Sequence, residues 1–183
     1  SINILNSYDD EPTNEFLASQ LFGTDFSNCY LAVKIICERS YNEIWPIIYN
    51  HKSEILKDYG ALYFVNVLFC NFPGLDNYIS AEMEFIILEC LNGKWPEFMK
   101  FKPSAVLSLI KFYPIKYKEA IIKFMSYKET SYWATRYAVL IAIDINRSIF
   151  SKSFLMETLD IAKNDTHRFI RMKAKDLYQK VIV

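Results

Sequence analysis

The chain has 183 residues, 52% of them hydrophobic and 16% aromatic, which is enough for one domain with a substantial core. With four Gly and six Pro it contains no linker-like stretch, so a single all-α domain over residues 1–183 is expected. Its 21 basic and 21 acidic residues cancel, and a pI of about 6.7 falls short of the basic excess of most dedicated nucleic-acid binders.

Helix signals recur from end to end. Thr13 can cap a segment through Phe22 that stops at Gly23, and Asp25 or Ser27 can start the next, through Glu38. Ser40-Tyr41-Asn42-Glu43 has the form of a capping box. Tyr59–Phe72 is closed by Pro73-Gly74, and Ser80–Leu91 by Asn92-Gly93. Pro103–Tyr113 opens with proline in its first turn and halts before Pro114. Tyr117–Tyr127, Ser131–Ile145, Ser151–Lys163 and His167–Val181 follow. Tyr63–Leu68 and Ala138–Ile143 are apolar and partly β-branched, but each lies in a longer window with apolar residues at i, i+3, i+4 and i+7, so both read as helix.

The neutral total conceals a split. Residues 1–100 hold 6 Lys/Arg against 14 Asp/Glu, and residues 101–183 hold 15 against 7. A two-ended molecule of this kind is suited to docking onto something charged. Cys29, Cys37, Cys70 and Cys90 are scattered through apolar contexts with no C-x-x-C pair, and the two histidines, His51 and His167, are far apart, so no metal site and no cofactor are expected. Free thiols suit a reducing compartment. No signal-peptide pattern opens the sequence and the longest apolar run, Ala138–Ile143, is too short to span a bilayer, so the expected location is cytoplasmic, away from any membrane.

A repeat emerges in the second half. Ile170, Ala174, Leu177 and Val181 share one face of the last helix, and Arg171 lies 35 positions after Arg136 of Tyr132-Trp133-Ala-Thr-Arg136-Tyr137. A shorter amphipathic helix precedes each. The hydrophobic-Arg-x-x-Ala-x-x-Leu run at 170–177 resembles the second helix of a HEAT-like repeat. That resemblance implies an all-α, HEAT-like right-handed α-solenoid of about nine to ten helices, in which the arginine braces the turn to the next repeat.

Trp133-x-x-Arg136 is also similar to the matching helix of HEAT-like alkylpurine DNA glycosylases. The resemblance implies Arg136 as a phosphate ligand and Trp133 as a lining residue. Separately, Arg168, Arg171 and Lys175 form a basic strip along the last helix, which makes Arg171 a further candidate phosphate or partner contact. The sequence departs from that family where its catalytic aspartate belongs, since no Asp lies between residues 77 and 143. On the plainer reading Trp133 packs between helices and Arg136 braces a turn. No Gly-rich phosphate loop, G-x-S-x-G elbow or H-E-x-x-H occurs, so no catalytic residue is assigned and a non-enzymatic role is expected.

In the acidic half, carboxylates alternate with tyrosines, a composition suited to a Lys/Arg-rich protein surface. Asp58, Tyr59, Tyr63, Asp76 and Glu82 are the candidate protein-binding residues. In general character the chain is similar to bacterial immunity proteins. That likeness implies an inhibitor that covers the active site of a cognate toxin, a basic domain with nuclease activity. The alternatives are a DNA-binding protein of the alkylation-repair type, or a scaffold solenoid.

Overall fold

In a computed structural model, residues 11–40, 42–72, 84–89, 91, 102–126 and 132–182 are described, and among them no residue is in a strand. The all-α expectation holds. Among the described residues ten helices are bounded: α1 Glu11–Leu21, α2 Phe26–Arg39, α3 Ile44–Asn50, α4 Lys52–Ile55, α5 Tyr59–Asn71, α6 Lys102–Phe112, α7 Lys118–Met125, α8 Trp133–Ile145, α9 Lys152–Lys163 and α10 Arg168–Ile182. A further helical stretch, 84–89, falls within the expected Ser80–Leu91, whose remainder is mostly outside the described residues. The chain groups into two compact units, Ser1–Gly93 and Lys94–Val183.

In the first unit, local chemistry sets the helix starts. The Asp25 carboxylate accepts from the backbone N–H groups of Ser27 (2.9 Å) and Asn28 (3.3 Å), and that of Asp58 accepts from Ala61 (2.8 Å). These are N-caps, satisfying donors that the first helical turn leaves open. Ser40 corrects the capping-box expectation. It lies in the left-handed region (φ 55°, ψ 42°) as the C-cap of α2, its N–H donating to the carbonyls of Ile36 and Cys37, while Glu43 precedes α3 without a side-chain cap. Ending α2 there claims Ser40 before it can begin anything. The short α4 has no counterpart in the sequence reading.

Helix α5 is apolar almost all round, the pattern of a helix enclosed by others. It packs against α1, α2 and α4. Trp45 of α3 is fully buried, stacked on Phe69 at 4.8 Å and edge-on to Phe72 at 5.1 Å. The Cys29 thiol is buried and donates to the carbonyls of Gln20 and Gly23, tying α2 to the end of α1. Burial pushes this thiol's pKa up, and the negative charges of Asp25 and Asp58 add to the rise.

In the second unit α8 is the central element. It packs against α6, α7 and α10, while α9 packs against α7 and α10. First helices thus meet first helices and second helices meet second helices, as the HEAT-like pairing of α7–α8 with α9–α10 requires. Ala174 and Leu177 are fully buried, so the last helix presents the face that its periodicity marks. Asn146, just past α8, is buried and donates to the carbonyls of Ile110 (2.9 Å) and Lys111 (3.1 Å). It closes the C-terminal end of α6, where carbonyls lack helical partners. Lysines of the basic half pack over rings: the Lys111, Lys116 and Lys118 ammonium groups lie above Phe112, Tyr117 and Phe154. These three lysines are therefore engaged in cation–π packing.

Candidate functional site: the two ends of the α8–α10 pair

Helices α8 and α10 run side by side in the same direction, and each end of the pair carries a polar cluster. At the N-terminal end the arginine of the first repeat is taken up by the turn before the second. Arg136 is 1% exposed, and its guanidinium donates through Nε to Asp165 Oδ2 at 2.7 Å and through Nη2 to Oδ1 at 3.0 Å. Asp165 Oδ1 also accepts from the His167 backbone N–H at 2.7 Å, which shapes the turn into α10. Arg171 serves the same turn from the other side, its Nη1 donating to the carbonyls of Asp165 and Thr166, both at 2.8 Å.

Burial pushes the Asp165 carboxyl up, but the hydrogen bonds from Arg136 and the His167 N–H outweigh it and hold the pKa below the usual carboxylate range. Arg136 is the turn brace of the HEAT-like reading, and its guanidinium is committed to Asp165. A phosphate ligand would need that group exposed.

Trp133 stands one turn before Arg136, 36% exposed. Its indole lies flat on the His167 ring at 4.5 Å with the planes 1° apart, flanked by Phe169 at 5.9 Å and Tyr137 at 6.2 Å. Phe169 and Met172 are each 54% exposed, so the second unit displays an aromatic step on its surface.

At the C-terminal end the focus is Asp144. Its carboxylate accepts from Lys173 at 2.8 Å and Lys180 at 3.1 Å, and Arg147 lies 3.4 Å away. Partial burial raises this carboxyl, and the two lysines more than reverse that, leaving its pKa lowered. Beside it opens a cleft of about 340 Å³ lined by Asp144, Ile145, Arg147, Ser148, Phe150, Lys152, Leu155, Lys180 and Val181. Phe150 and Leu155 are buried and form an apolar floor, whereas Ile145, Ile149 and Ile182 stand exposed.

The acidic-half candidates are placed differently. Asp58 is engaged as the cap of α5. The Tyr63 hydroxyl shares a 2.7 Å hydrogen bond with that of Tyr30, and the two rings meet edge to face, so Tyr63 joins α5 to α2. Tyr59 is the first residue of α5. Asp76 and Glu82 lie outside the described residues.

The sequence reading missed Asp165, His167, Asp144 and Asn146. The only signal was local: an Asx-type Asp165-Thr-His167 just before a helix start. Among the described residues no group of His, Cys, Asp and Glu is arranged to hold a metal ion. No helix among them is long and apolar enough to cross a membrane.

No family model matches the chain, and no solved structure matches it. Curated proteins do. The chain is 29% identical over 179 residues to the bilin biosynthesis protein CpeY of Synechococcus sp. (strain WH8020), an alignment covering 96% of this chain and 42% of that protein. It is 32% identical over 145 residues to the uncharacterised phycocyanin operon protein Y of Pseudanabaena tenuis (strain PCC 7409), covering 79% of this chain and 32% of that protein. The chain therefore spans less than half the length of these relatives. These similarities overturn the immunity-protein reading with its basic toxin partner, and the glycosylase reading with it. Acidic residues interleaved with tyrosine, and a Trp-x-x-Arg helix start, are too general to have identified either. The chain is similar, along nearly its whole length, to part of a bilin biosynthesis protein.

Proposed function

We propose that this chain is a bilin-handling domain: it binds a linear tetrapyrrole without covalent attachment and delivers it, in the cytoplasm, to a phycocyanin-type subunit. The observation that carries this reading is the similarity along 96% of the chain to a protein of bilin biosynthesis. The similarity to a protein named for a phycocyanin operon supports a phycocyanin-type acceptor.

The chemistry of the ligand supports the assignment. A bilin is a long conjugated chain of four pyrrole-derived rings with two propionate side chains, so its host needs apolar or aromatic surface and a few fixed cations. The second unit offers both, in the aromatic step around Trp133 and in the cleft beside Asp144. Holding and presenting such a ligand is work for binding geometry and does not call for a general acid or base.

Titration of the purified chain with biliverdin and with phycocyanobilin, read by visible absorption and circular dichroism, tests the proposal. A bilin bound in one chiral environment acquires a visible Cotton effect that saturates with protein concentration. Bilin spectra that stay those of the free pigment at saturating protein would reject the reading.

A further inference from the structure

The two ends of the α8–α10 pair are chemically unlike, and only one of them suits carboxylates. At the N-terminal end both guanidinium groups are already engaged: Arg136 is buried and locked to Asp165, and the exposed Arg171 donates to two backbone carbonyls. The C-terminal end holds an excess of positive charge around a concave surface. Arg147, Lys152 and Lys180 line the cleft with Asp144 as the one acid among its lining residues. Asp144 draws Lys173 and Lys180 to itself, so a single carboxylate is already outmatched before any ligand arrives. Lys180 is further held by Asp176 at 3.1 Å.

Two cations remain available at the rim. Arg147 touches Asp144 through one nitrogen at 3.4 Å and makes no other ion pair among the described residues, its side chain 41% exposed. Lys152 opens α9, is exposed, and makes no ion pair among the described residues.

We propose that this cleft is the bilin subsite, with Arg147 and Lys152 taking the two propionates. The proposal rests on the bilin-handling reading and assigns it a place. A guanidinium and an ammonium beside an apolar floor form the donor set that a dicarboxylate on a hydrophobic frame requires. Phe150 and Leu155 supply the floor, and Ile145 and Val181 line the walls. The volume of about 340 Å³ lies at the small end of ligand sites. It therefore takes the two central rings, which bear the propionates, and leaves the outer rings to run over the exposed Ile145, Ile149 and Ile182. The terminal rings stay accessible to an acceptor. Asp144 is a positioning residue: it fixes Lys173 and Lys180 and repels a carboxylate that would slide inward, keeping the propionates at the rim.

The test compares biliverdin with its dimethyl ester on the unaltered chain, then biliverdin on Arg147→Glu/Lys152→Glu, with visible circular dichroism as the readout. Both substituted positions are on the surface, and the far-UV spectrum and melting midpoint of the variant check its fold. The acid should bind at least about tenfold more tightly than the ester, and the double variant should lose that margin; charge-assisted hydrogen bonds to carboxylates are strong enough to carry it. If acid and ester bind the unaltered chain equally, the proposal is overturned whatever the variant does. If the acid binds the folded variant as tightly as the unaltered chain, the subsite lies elsewhere while bilin handling stands; a loss confined to Trp133→Ala would then put it on the aromatic step. Absence of any bilin signal with the unaltered chain rejects the functional reading and the subsite together.

Discussion

Replacing Arg136 by Met removes one partner of an ion pair whose side chains are 1% and 2% exposed. The pair is joined by two charge-assisted hydrogen bonds, and the Asp165 carboxylate would be left in a site that water does not reach. Removing one member of a buried pair typically costs about 3–5 kcal/mol, because the survivor keeps its desolvation penalty and loses its compensation. For a chain of this length that corresponds to a fall of roughly 10 °C in melting midpoint, at about 2–4 °C per kcal/mol.

The pH dependence gives a sharper readout. In the unaltered protein Asp165 titrates below its unfolded value, so its contribution is present above the unfolded pKa and is lost as pH falls through the folded one. Without Arg136, burial dominates and the folded pKa lies above the unfolded one. Stability should then increase as pH falls from neutral towards 5, a range in which Asp165 gives the parent no such slope. Urea denaturation of both proteins across that range measures the slope directly. An unchanged midpoint, or parallel pH profiles, would refute the buried-brace account. Asp165→Asn, which keeps the acceptor for the His167 N–H, should destabilise by a similar amount without the inverted slope.

Other expectations can be read from single variants. Ala174→Phe should overpack the join of α10 with α8 and α9, costing about 1–3 kcal/mol by chemical denaturation; no loss would mean that this face is not packed. Asn146→Ala removes both hydrogen bonds that close α6 and should cost about 1–3 kcal/mol, with faster amide exchange concentrated at residues near 110–113. Asp58→Ala should cost about 1 kcal/mol through the lost cap of α5, and Asp58→Asn much less, as thermal melts would show.

Helix content and most helix limits were legible in the sequence, because caps and periodicity are local. Asp25 and Ser151 accept from backbone N–H groups two or three residues ahead, within the first turn of the helix each one starts. The equivalence of Arg136 and Arg171, and the burial of Ala174, likewise followed from a pattern repeated along one helix face. Ser40 shows the boundary of that method: its sequence suits a cap for the next helix, but the backbone of the preceding one takes it first.

Tertiary structure alone decided what the polar side chains do. Arg136 meets Asp165 and Lys173 meets Asp144, each across 29 positions, and Lys180 meets Asp144 across 36. Such partners depend on which helix faces the whole core brings together and at what crossing, and no short-range pattern records that. Two arginines in equivalent sequence positions consequently have different fates: Arg136 is sealed inside against Asp165, and Arg171 lies at the surface with its guanidinium on two backbone carbonyls. The charge split was visible from the start, but long-range charge steers many partners alike. The cleft beside Asp144 exists only once α8, α9 and α10 have come together.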